Sequence, residues 1–124
     1  MVPMNDDVRA ALSEGRVIDI TTTGRKTGQP RRKEIVFHNI DGRLYISGTP
    51  RRQKRDWLAN LEADPDFVFH VKGDVVADLR ATARVIDDPE ERREVLGPIG
   101  AKWGWSDIEE GVRYSPLIEV TIND

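Results

Sequence analysis

The sequence predicts an α+β fold that is mainly β, a small barrel of about six antiparallel strands with short helices. The clearest sign lies at residues 75–85, where apolar and polar residues alternate over a stretch longer than an average strand. A strand of that length is typical of one that curves round a barrel. Tight turns such as Asp41-Gly42, a strong hairpin signal, join neighbouring strands and make the sheet antiparallel. A single domain over residues 1–124 accounts for the chain.

The first half of the chain alternates short helices with β-branched segments. Asn5 or Asp6 can cap the first helix and Gly15 can end it, while Asp64-Pro65-Asp66 ends the second. The run RVIDITTT favours a strand because β-branched side chains suit a pleated sheet. The predicted elements are a helix over 5–14, strands over 16–23, 31–38 and 43–47, and a helix over 56–63.

The second half predicts a hairpin, a helix and a last strand. Asp88 caps the helix, Pro89 occupies its first position, and Glu91 completes a capping box. We expect this helix to end at Gly97-Pro98. The predicted elements are strands over 67–71 and 75–85, a helix over 89–96, an irregular stretch over 99–115 with a short helix near 106–111, and a strand over 116–122.

Composition narrows the class of protein. The chain has no cysteine, which excludes disulfide scaffolds, thiolate zinc sites and cysteine nucleophiles. No apolar run approaches the ~20 residues that span a bilayer. The acidic segment MVPMNDDVRAALSEG does not resemble a signal peptide. We therefore expect a soluble, cytoplasmic protein with no membrane span.

The net charge of −3 conceals two acid-free basic segments. Residues 24–33 carry five Lys and Arg, and residues 51–55 carry four; the rest of the chain has 10 basic against 22 acidic residues. A cationic region in an anionic body favours a local anionic ligand over a nucleic-acid surface. The alternative interpretation is that both segments are solvated turns.

The 24–31 turn is the strongest local candidate for a binding site. Gly24 and Gly28 allow close approach of the backbone and can expose its N–H groups to an anion. Arg25, Lys26 and Arg31 add positive charge, and arginine can bind phosphate or carboxylate bidentately. The turn lies between two strands and lacks the spacing of a P-loop or a dinucleotide fingerprint.

A second candidate loop follows the third predicted strand. Arg51, Arg52 and Lys54 stand just before a helix, and we expect them to lie at the entrance of the same anionic site. Ser47 and Gly48 offer a hydroxyl and an accessible backbone beside this loop. Trp57 is more often a core residue than a ligand wall.

Histidines and aromatic residues give weaker signals. His38 and His70 lack metal-ligand spacing, so we expect no metal site, and a surface or half-buried place for His70. Trp103, Trp105 and Tyr114 precede the last strand and either wall a flat apolar ligand or fill the barrel end. Among these three, Tyr114 alone has a hydroxyl that could donate a proton, which makes it the candidate catalytic residue.

Three segments together resemble the deazaflavin-dependent nitroreductase family, within the split β-barrel flavin and deazaflavin oxidoreductases. They are ITTTGRKTGQPRR, DGRLYISGTP and RDWLANLEADP, and the resemblance runs from about Asp19 to Ile86. It implies a split β-barrel of the FMN-binding-protein type. It also implies reduced coenzyme F-420 as a hydride donor, with a small apolar acceptor that is unsaturated, a quinone or a nitroaromatic. Split barrels of this kind commonly pair as dimers, so a homodimer is possible.

The resemblance also implies site residues. Arg25, Lys26 and Arg31 match the motif that meets the phosphate of the cofactor tail. The segment Ser47-Gly48-Thr49 matches the part that meets the deazaflavin ring, and Trp57 matches the tryptophan of the helix beside it. The predicted anion-binding set is completed by Arg51, Arg52 and Lys54.

The sequence departs from that family at two places. Ser47-Gly48-Thr49-Pro50 stands where members often have Ser-Lys-Gly-Gly, and tyrosines common before the last strand are reduced here to Tyr114. Two alternatives therefore stay open: an FMN-binding reductase like the pyridoxamine oxidases, and a barrel that binds a cofactor or apolar ligand without catalysis. The TTTGRK segment favours F-420 over FMN.

Overall fold

The computed structural model describes residues 5–123, which form a closed six-stranded antiparallel barrel with four short helices. The strand order is β1-β2-β3-β6-β5-β4, and β4 pairs back onto β1. The predicted fold class is confirmed. Residues 1–4 and 124, which the single-domain prediction includes, lie outside the described residues. The strands are β1 (Arg16–Thr23), β2 (Pro30–Ile40), β3 (Arg43–Ser47), β4 (Asp66–Val71), β5 (Ala77–Val85) and β6 (Leu117–Ile122).

Alternating side chains fill the barrel interior. Ile18, Ile20 and Ile46 are fully buried, and Phe37 meets Phe69 edge to face with ring centroids 5.2 Å apart. The predicted apolar face of residues 75–85 points into the same core, although β5 itself begins two residues later than expected. Burial of these large side chains is the main favourable term in the stability of the barrel.

Two helices lie beside this core. In α1 (Asp6–Leu12) the carboxamide oxygen of Asn5 accepts a hydrogen bond from the Val8 N–H at 2.9 Å, as predicted for an N-cap. Helix α2 (Asp56–Ala63) has the predicted bounds, and its Trp57 and Leu61 are buried in the core. Helix α2 therefore places its first turn at the rim of the barrel beside β1.

The third helix is longer than predicted. Helix α3 runs over Pro89–Trp103 and continues through Pro98, so the predicted end at Gly97-Pro98 is wrong. A residue before proline avoids the helical conformation because its Cβ meets the proline ring, and Gly97 has no Cβ. Pro98 faces solvent, where water can satisfy the carbonyl that loses its N–H partner. The helix ends instead at Gly104, with φ of +73°.

The predicted capping box at this helix is half formed. The Asp88 carboxylate accepts a hydrogen bond from the Glu91 N–H at 3.0 Å. The Glu91 carboxylate does not return to the cap but pairs with Arg84 of β5. Long-range pairing has therefore replaced the local bond.

Helix α4 (Ile108–Tyr114) packs against α3, and the pair covers one part of the barrel. It occupies the stretch predicted as mostly irregular and starts two residues after the predicted short helix. A second apolar cluster forms there around Tyr45, Leu96 and Leu117. Within residues 5–123, no helix is both long and apolar enough to cross a bilayer. The cytoplasmic location stays a prediction.

Candidate functional site

The turn between β1 and β2 closes on itself through backbone hydrogen bonds. The Gly24 N–H donates to the Gln29 carbonyl and the Gly28 N–H to the Gly24 carbonyl, both at 2.8 Å. Gly28 has φ of +72°, which a residue with a side chain rarely adopts. The Gln29 N–H is also used, by the Thr27 hydroxyl. Among residues 24–29 of the described structure, only the backbone N–H groups of Lys26 and Thr27 have no hydrogen-bond partner. Fewer backbone donors are therefore available to an anion than the sequence predicts.

Arg25 is tied to helix α2 instead of standing free. Its main-chain N–H and its guanidinium both donate to Oδ1 of Asn60, at 3.1 Å and 2.9 Å. The guanidinium also approaches the Asp56 carboxylate at 3.3 Å. Asn60 is buried, and its amide donates to the Thr22 hydroxyl at 3.1 Å. Asn60 therefore fixes the turn against α2 and β1, a role that the sequence analysis missed.

The two basic segments line one cavity, as the sequence predicts. We name it the basic cleft; its volume is about 590 Å³, and its walls include most residues of the 24–33 and 51–55 segments, Arg52 excepted, together with Trp57 and Asn60. Eight Lys and Arg side chains line it against one carboxylate, that of Asp56. Such an imbalance creates a positive potential inside a concave surface, which attracts anions.

Most of this positive charge has no carboxylate partner. Across the described part of the chain, Lys26, Arg31, Lys33 and Arg51 take part in no ion pair, whereas Lys54 pairs with Glu62 at 2.7 Å. Burial, together with the charge of Arg51, lowers the pKa of the Arg55 guanidinium. Unpaired cations that lie close together repel one another, and a bound anion would lower this repulsion energy.

The loop after β3 carries the residues expected beside the ring. The Ser47 hydroxyl is buried and donates to the Pro116 carbonyl at 2.7 Å, so its proton is already used. A Cβ on Gly48 would lie 3.0 Å from a guanidinium nitrogen of Arg55, which leaves little room for a side chain there. That nitrogen also donates to the Thr49 carbonyl at 2.7 Å. Arg55 thus holds this loop closed over the end of β3.

Trp57 belongs to the barrel core and also lines the basic cleft. It is 6% exposed and belongs to the barrel core, as the core interpretation expected. Its remaining surface lines the basic cleft. The core and ligand-wall interpretations are therefore compatible at this residue.

A second cavity of about 570 Å³ contains Tyr114, and we name it the tyrosine cleft. Four residues line both clefts: Arg51, Gln53, Lys54 and Arg55. The 51–55 segment is therefore a shared wall between the cationic cavity and the cavity of the candidate catalytic tyrosine. Arg52 lines the tyrosine cleft and not the basic cleft, with its guanidinium carbon 5.5 Å from the centre of the Tyr114 ring.

Trp103 and Trp105 are not a wall of either cleft. Their rings lie 5.9 Å apart, and both pack against the apolar cluster between α3 and the barrel. Trp105 also covers Gly100 of α3 and Gly111 of α4. Of the two alternatives for these aromatic residues, a wall shared by all three is not found: the tryptophans join α3 to α4, and of the three residues Tyr114 alone lines a cleft.

Both histidines are buried. His70 is 8% exposed, with Nε2 2.7 Å from the Thr21 hydroxyl and Nδ1 2.7 Å from the Asp78 carboxylate, so the predicted surface or half-buried place is wrong. His38 is 3% exposed against Trp103, and burial, with a smaller effect of Lys102, lowers its pKa to about 4. Among residues 5–123, no three His, Asp or Glu side chains gather in a possible metal site. That the protein needs no metal stays a prediction.

Several solved structures share this fold. A Listeria innocua protein, provisionally named a pyridoxamine 5′-phosphate oxidase, is 13% identical over 98% of this chain and 95% of its own, with a TM-score of 0.73. A structure described as an F-420 reductase is 16% identical over 99% of this chain and 97% of its own, with a TM-score of 0.70. One described as a domain-swapped dimer is 22% identical over 85% of this chain and 79% of its own, with a TM-score of 0.63. These identities support likeness of fold.

A protein-family model gives the activity class. The model of the F-420H(2)-dependent quinone reductase family matches residues 4–104. The match includes both basic segments and the loop after β3, and it ends before Tyr114. The chain therefore belongs to the F-420H(2)-dependent quinone reductase family and is an F-420-dependent reductase.

Proposed function

We propose that the protein holds reduced F-420 in the basic cleft, with its ring at the 51–55 border of the two clefts, and delivers its hydride there to an acceptor in the tyrosine cleft. The acceptor is a quinone or another unsaturated or nitroaromatic molecule. The observation that supports this most strongly is the shared 51–55 wall, which brings a cationic cavity and the cavity of Tyr114 side by side. A cofactor with an anionic tail and a flat ring needs this combination of an anion site and an adjoining space.

The residues of the basic cleft fit the anionic tail. Lys26, Arg31 and Arg51 have no carboxylate partner in the described structure and supply the charge that phosphate and glutamate groups require. Arg25 contributes its charge while it holds the turn in place through Asn60. Lys54 lies in the wall with its charge shared by Glu62.

The ring contacts proposed from the family resemblance are the backbone at Ser47, Gly48 and Thr49 and the edge of Trp57. Of these residues Trp57 lines the basic cleft, whereas the other three line neither cleft. The Ser47 proton is committed to Pro116, so of the two hydroxyls that of Thr49 is the one free to donate. A bulkier residue at Gly48 would push Arg55 into the cleft.

The chemistry divides between the cofactor and the protein. Reduced F-420, when bound, supplies a hydride. The chain orients the acceptor against the ring and keeps water away, and alignment of two reactants is a large source of rate. We propose that Tyr114, which lines the tyrosine cleft, donates a proton to the oxygen or nitrogen of the acceptor that gains charge on reduction.

Binding measurements test the cofactor assignment. We expect F-420 to bind the purified protein, whereas FMN, FAD and haem bind much more weakly. Tight binding of FMN and weak binding of F-420 would favour the flavin alternative. Tight binding of F-420 without turnover of any quinone, enone or nitroaromatic would favour a non-catalytic carrier.

Turnover measurements test the role of Tyr114. We expect Tyr114→Phe to lower kcat with little change in the affinity for F-420. Tyr45→Phe is the matched control, since Tyr45 is buried in the second apolar cluster and lines neither cleft. Equal turnover in wild type and Tyr114→Phe would remove the proton-donor role.

We also propose a homodimer. The support is the fold relative that is described as a domain-swapped dimer, together with the usual pairing of split barrels. Light scattering of the purified protein measures its mass directly. A mass near 14.1 kDa would contradict the proposal.

A further inference from the structure

We propose that the tyrosine cleft is specific for an aromatic acceptor that carries a carboxylate or sulfonate group. The inference rests on the proposed function, because it names the class of acceptor at that site. It comes from the surroundings of Tyr114, where two guanidinium groups face one aromatic ring.

Two guanidinium groups lie near the ring of Tyr114. The guanidinium carbon of Arg52 is 5.5 Å from the ring centre and that of Arg113 is 5.9 Å away. Tyr114 itself is half-buried and lines the cleft. An aromatic ligand can stack on such a ring, and cations at its sides can bind an acid group on the same ligand.

Neither of these arginines is held in an ion pair in the described structure, although the charge of Arg113 helps to lower the pKa of the Glu109 carboxyl, mainly lowered by Arg93. Arg52 and Arg113 form no ion pair among residues 5–123, and Arg51 in the shared wall forms none either. Two of the three carboxylates that line the cleft are already paired, Glu62 with Lys54 and Glu109 with Arg93. A neutral acceptor would desolvate guanidinium groups without giving them a partner, which costs free energy.

Hydrogen bonds to the backbone hold the main chain beside the cleft in place. The Arg92 guanidinium donates to three backbone carbonyls, those of Ile86, Val112 and Ser115, and so fixes the end of α4 that carries Tyr114. Ser115 is 4% exposed and lines the cleft, and its buried hydroxyl has no hydrogen-bond partner in the described structure. At about 570 Å³, the cavity falls within the roughly 300–1,000 Å³ of small-molecule sites.

The test compares two ligands of the same shape in calorimetric titrations without F-420. The first is 2-naphthoate, an anion at pH 7, and the second is the neutral 2-naphthamide. We expect the full-length protein to bind 2-naphthoate at least tenfold more tightly, with the difference shrinking as salt rises. Equal affinities, or binding of neither ligand, would overturn the proposal.

Charge-removing variants locate the site. We expect Arg52→Gln and Arg113→Gln each to weaken 2-naphthoate severalfold and to change 2-naphthamide little. Arg80→Gln is the matched control, because Arg80 is an exposed arginine of β5 that lines neither cleft. A loss in Arg80→Gln as large as in the other two would show that the effect is only the net charge, and the proposal would be wrong.

A last titration separates this proposal from the cofactor assignment. We expect 2-naphthoate to bind equally well to protein saturated with F-420, since the acceptor cleft stays open. Displacement of 2-naphthoate by F-420 would mean that the cofactor occupies the tyrosine cleft, and it would overturn the inference. Failure of F-420 to bind, with the discrimination between the two naphthyl ligands intact, would instead contradict the proposed function alone.

Discussion

Arg25 and Asn60 are joined twice, since the main-chain N–H and the guanidinium of Arg25 both donate to the same carboxamide oxygen. The other end of that carboxamide donates to the Thr22 hydroxyl in β1. One buried side chain thus connects the end of β1, the basic turn and helix α2. The position of the turn in the basic cleft depends on this connection.

The first prediction is that Asn60→Ala both destabilises the protein and weakens F-420 binding. Loss of the carboxamide leaves the partly buried Arg25 N–H and the buried Thr22 hydroxyl without these partners, which costs about 2 kcal/mol. The turn would also lose its attachment to α2. Urea unfolding measures the stability, and a fluorescence titration measures the affinity for F-420.

An exposed asparagine provides the control for this variant. Asn123→Ala removes a carboxamide that donates to Thr82 at the surface, and its effect on stability should stay within about 0.5 kcal/mol. Unchanged F-420 affinity in Asn60→Ala would show that the turn does not need this attachment to bind the cofactor.

The second prediction concerns the free charge of the basic turn. Lys26→Ala should weaken F-420 binding by about ten- to a hundredfold, because the variant loses a charge-assisted hydrogen bond to the anionic tail. Arg31→Ala should act similarly. The wild-type affinity should also fall as salt rises, since salt screens these attractions.

Lys102→Ala is the matched control for Lys26→Ala. Lys102 is an exposed lysine in the last turn of α3 and lines neither cleft. Its loss should leave F-420 binding unchanged at moderate salt. If Lys26→Ala binds F-420 as tightly as wild type at low salt, the tail does not contact this turn.

The strands could be predicted from sequence because their signals are local. Alternation along residues 75–85 and the turn at Asp41-Gly42 each depend on neighbouring residues, and β1, β3 and α2 have the predicted bounds. The clustering of the two basic segments was also predictable, since one lies at the start of β2 and the other follows the end of β3, and these two strands pair antiparallel. The pairing of β4 with β1 follows from a closed barrel, which the length of the predicted 75–85 strand already favoured.

The remaining errors come from partners far apart in sequence. Asn60 resembles any helical asparagine until the fold brings Thr22 and Arg25 to it. His70 is buried because Thr21 and Asp78, on neighbouring strands, bind both ring nitrogens. The error at Pro98 has a local cause instead. Gly97 has no Cβ to clash with the proline ring, so α3 can continue through Pro98.

The third prediction tests the packing that joins α3 to α4. A Cβ at Gly100 would lie 2.6 Å from Cε3 of Trp105 and 2.7 Å from Cδ1 of Ile108, closer than real contacts allow. Gly100→Ala should therefore lower the free energy of unfolding by roughly 1–3 kcal/mol, the usual cost of overpacking. Urea unfolding measures the change.

A second variant shows whether the clash is the cause. In a Trp105→Leu background the smaller side chain leaves room, so Gly100→Ala should cost clearly less than it does in wild type. The same cost in both backgrounds would mean that the indole does not restrict this glycine. Because neither residue lines a cleft, F-420 affinity should stay unchanged in folded Gly100→Ala.

The fourth prediction concerns the pH dependence of stability through His38. Its pKa is lowered from 6.5 to about 4 in the folded protein, first by burial and then by Lys102. The unfolded chain therefore takes up a proton at a higher pH than the folded chain, and stability falls as the pH falls through this window. We expect a loss of about 2 kcal/mol from this residue between pH 7 and pH 5.

The range from pH 7 to pH 5 distinguishes the effect of His38 on stability from the effects of the paired carboxylates. The folded-state pKa values of Asp19, Glu91 and Glu109 are lowered from 3.8 or 4.5 by their basic partners, so their contributions are lost only at lower pH. Urea unfolding of wild type, His38→Phe and His38→Gln at pH 7 and pH 5 measures the slope, whatever the absolute stability of each variant. Both variants should lose less stability than wild type between the two pH values, because neither substituted side chain titrates there. An equal loss in all three proteins would mean that His38 does not resist protonation in the fold.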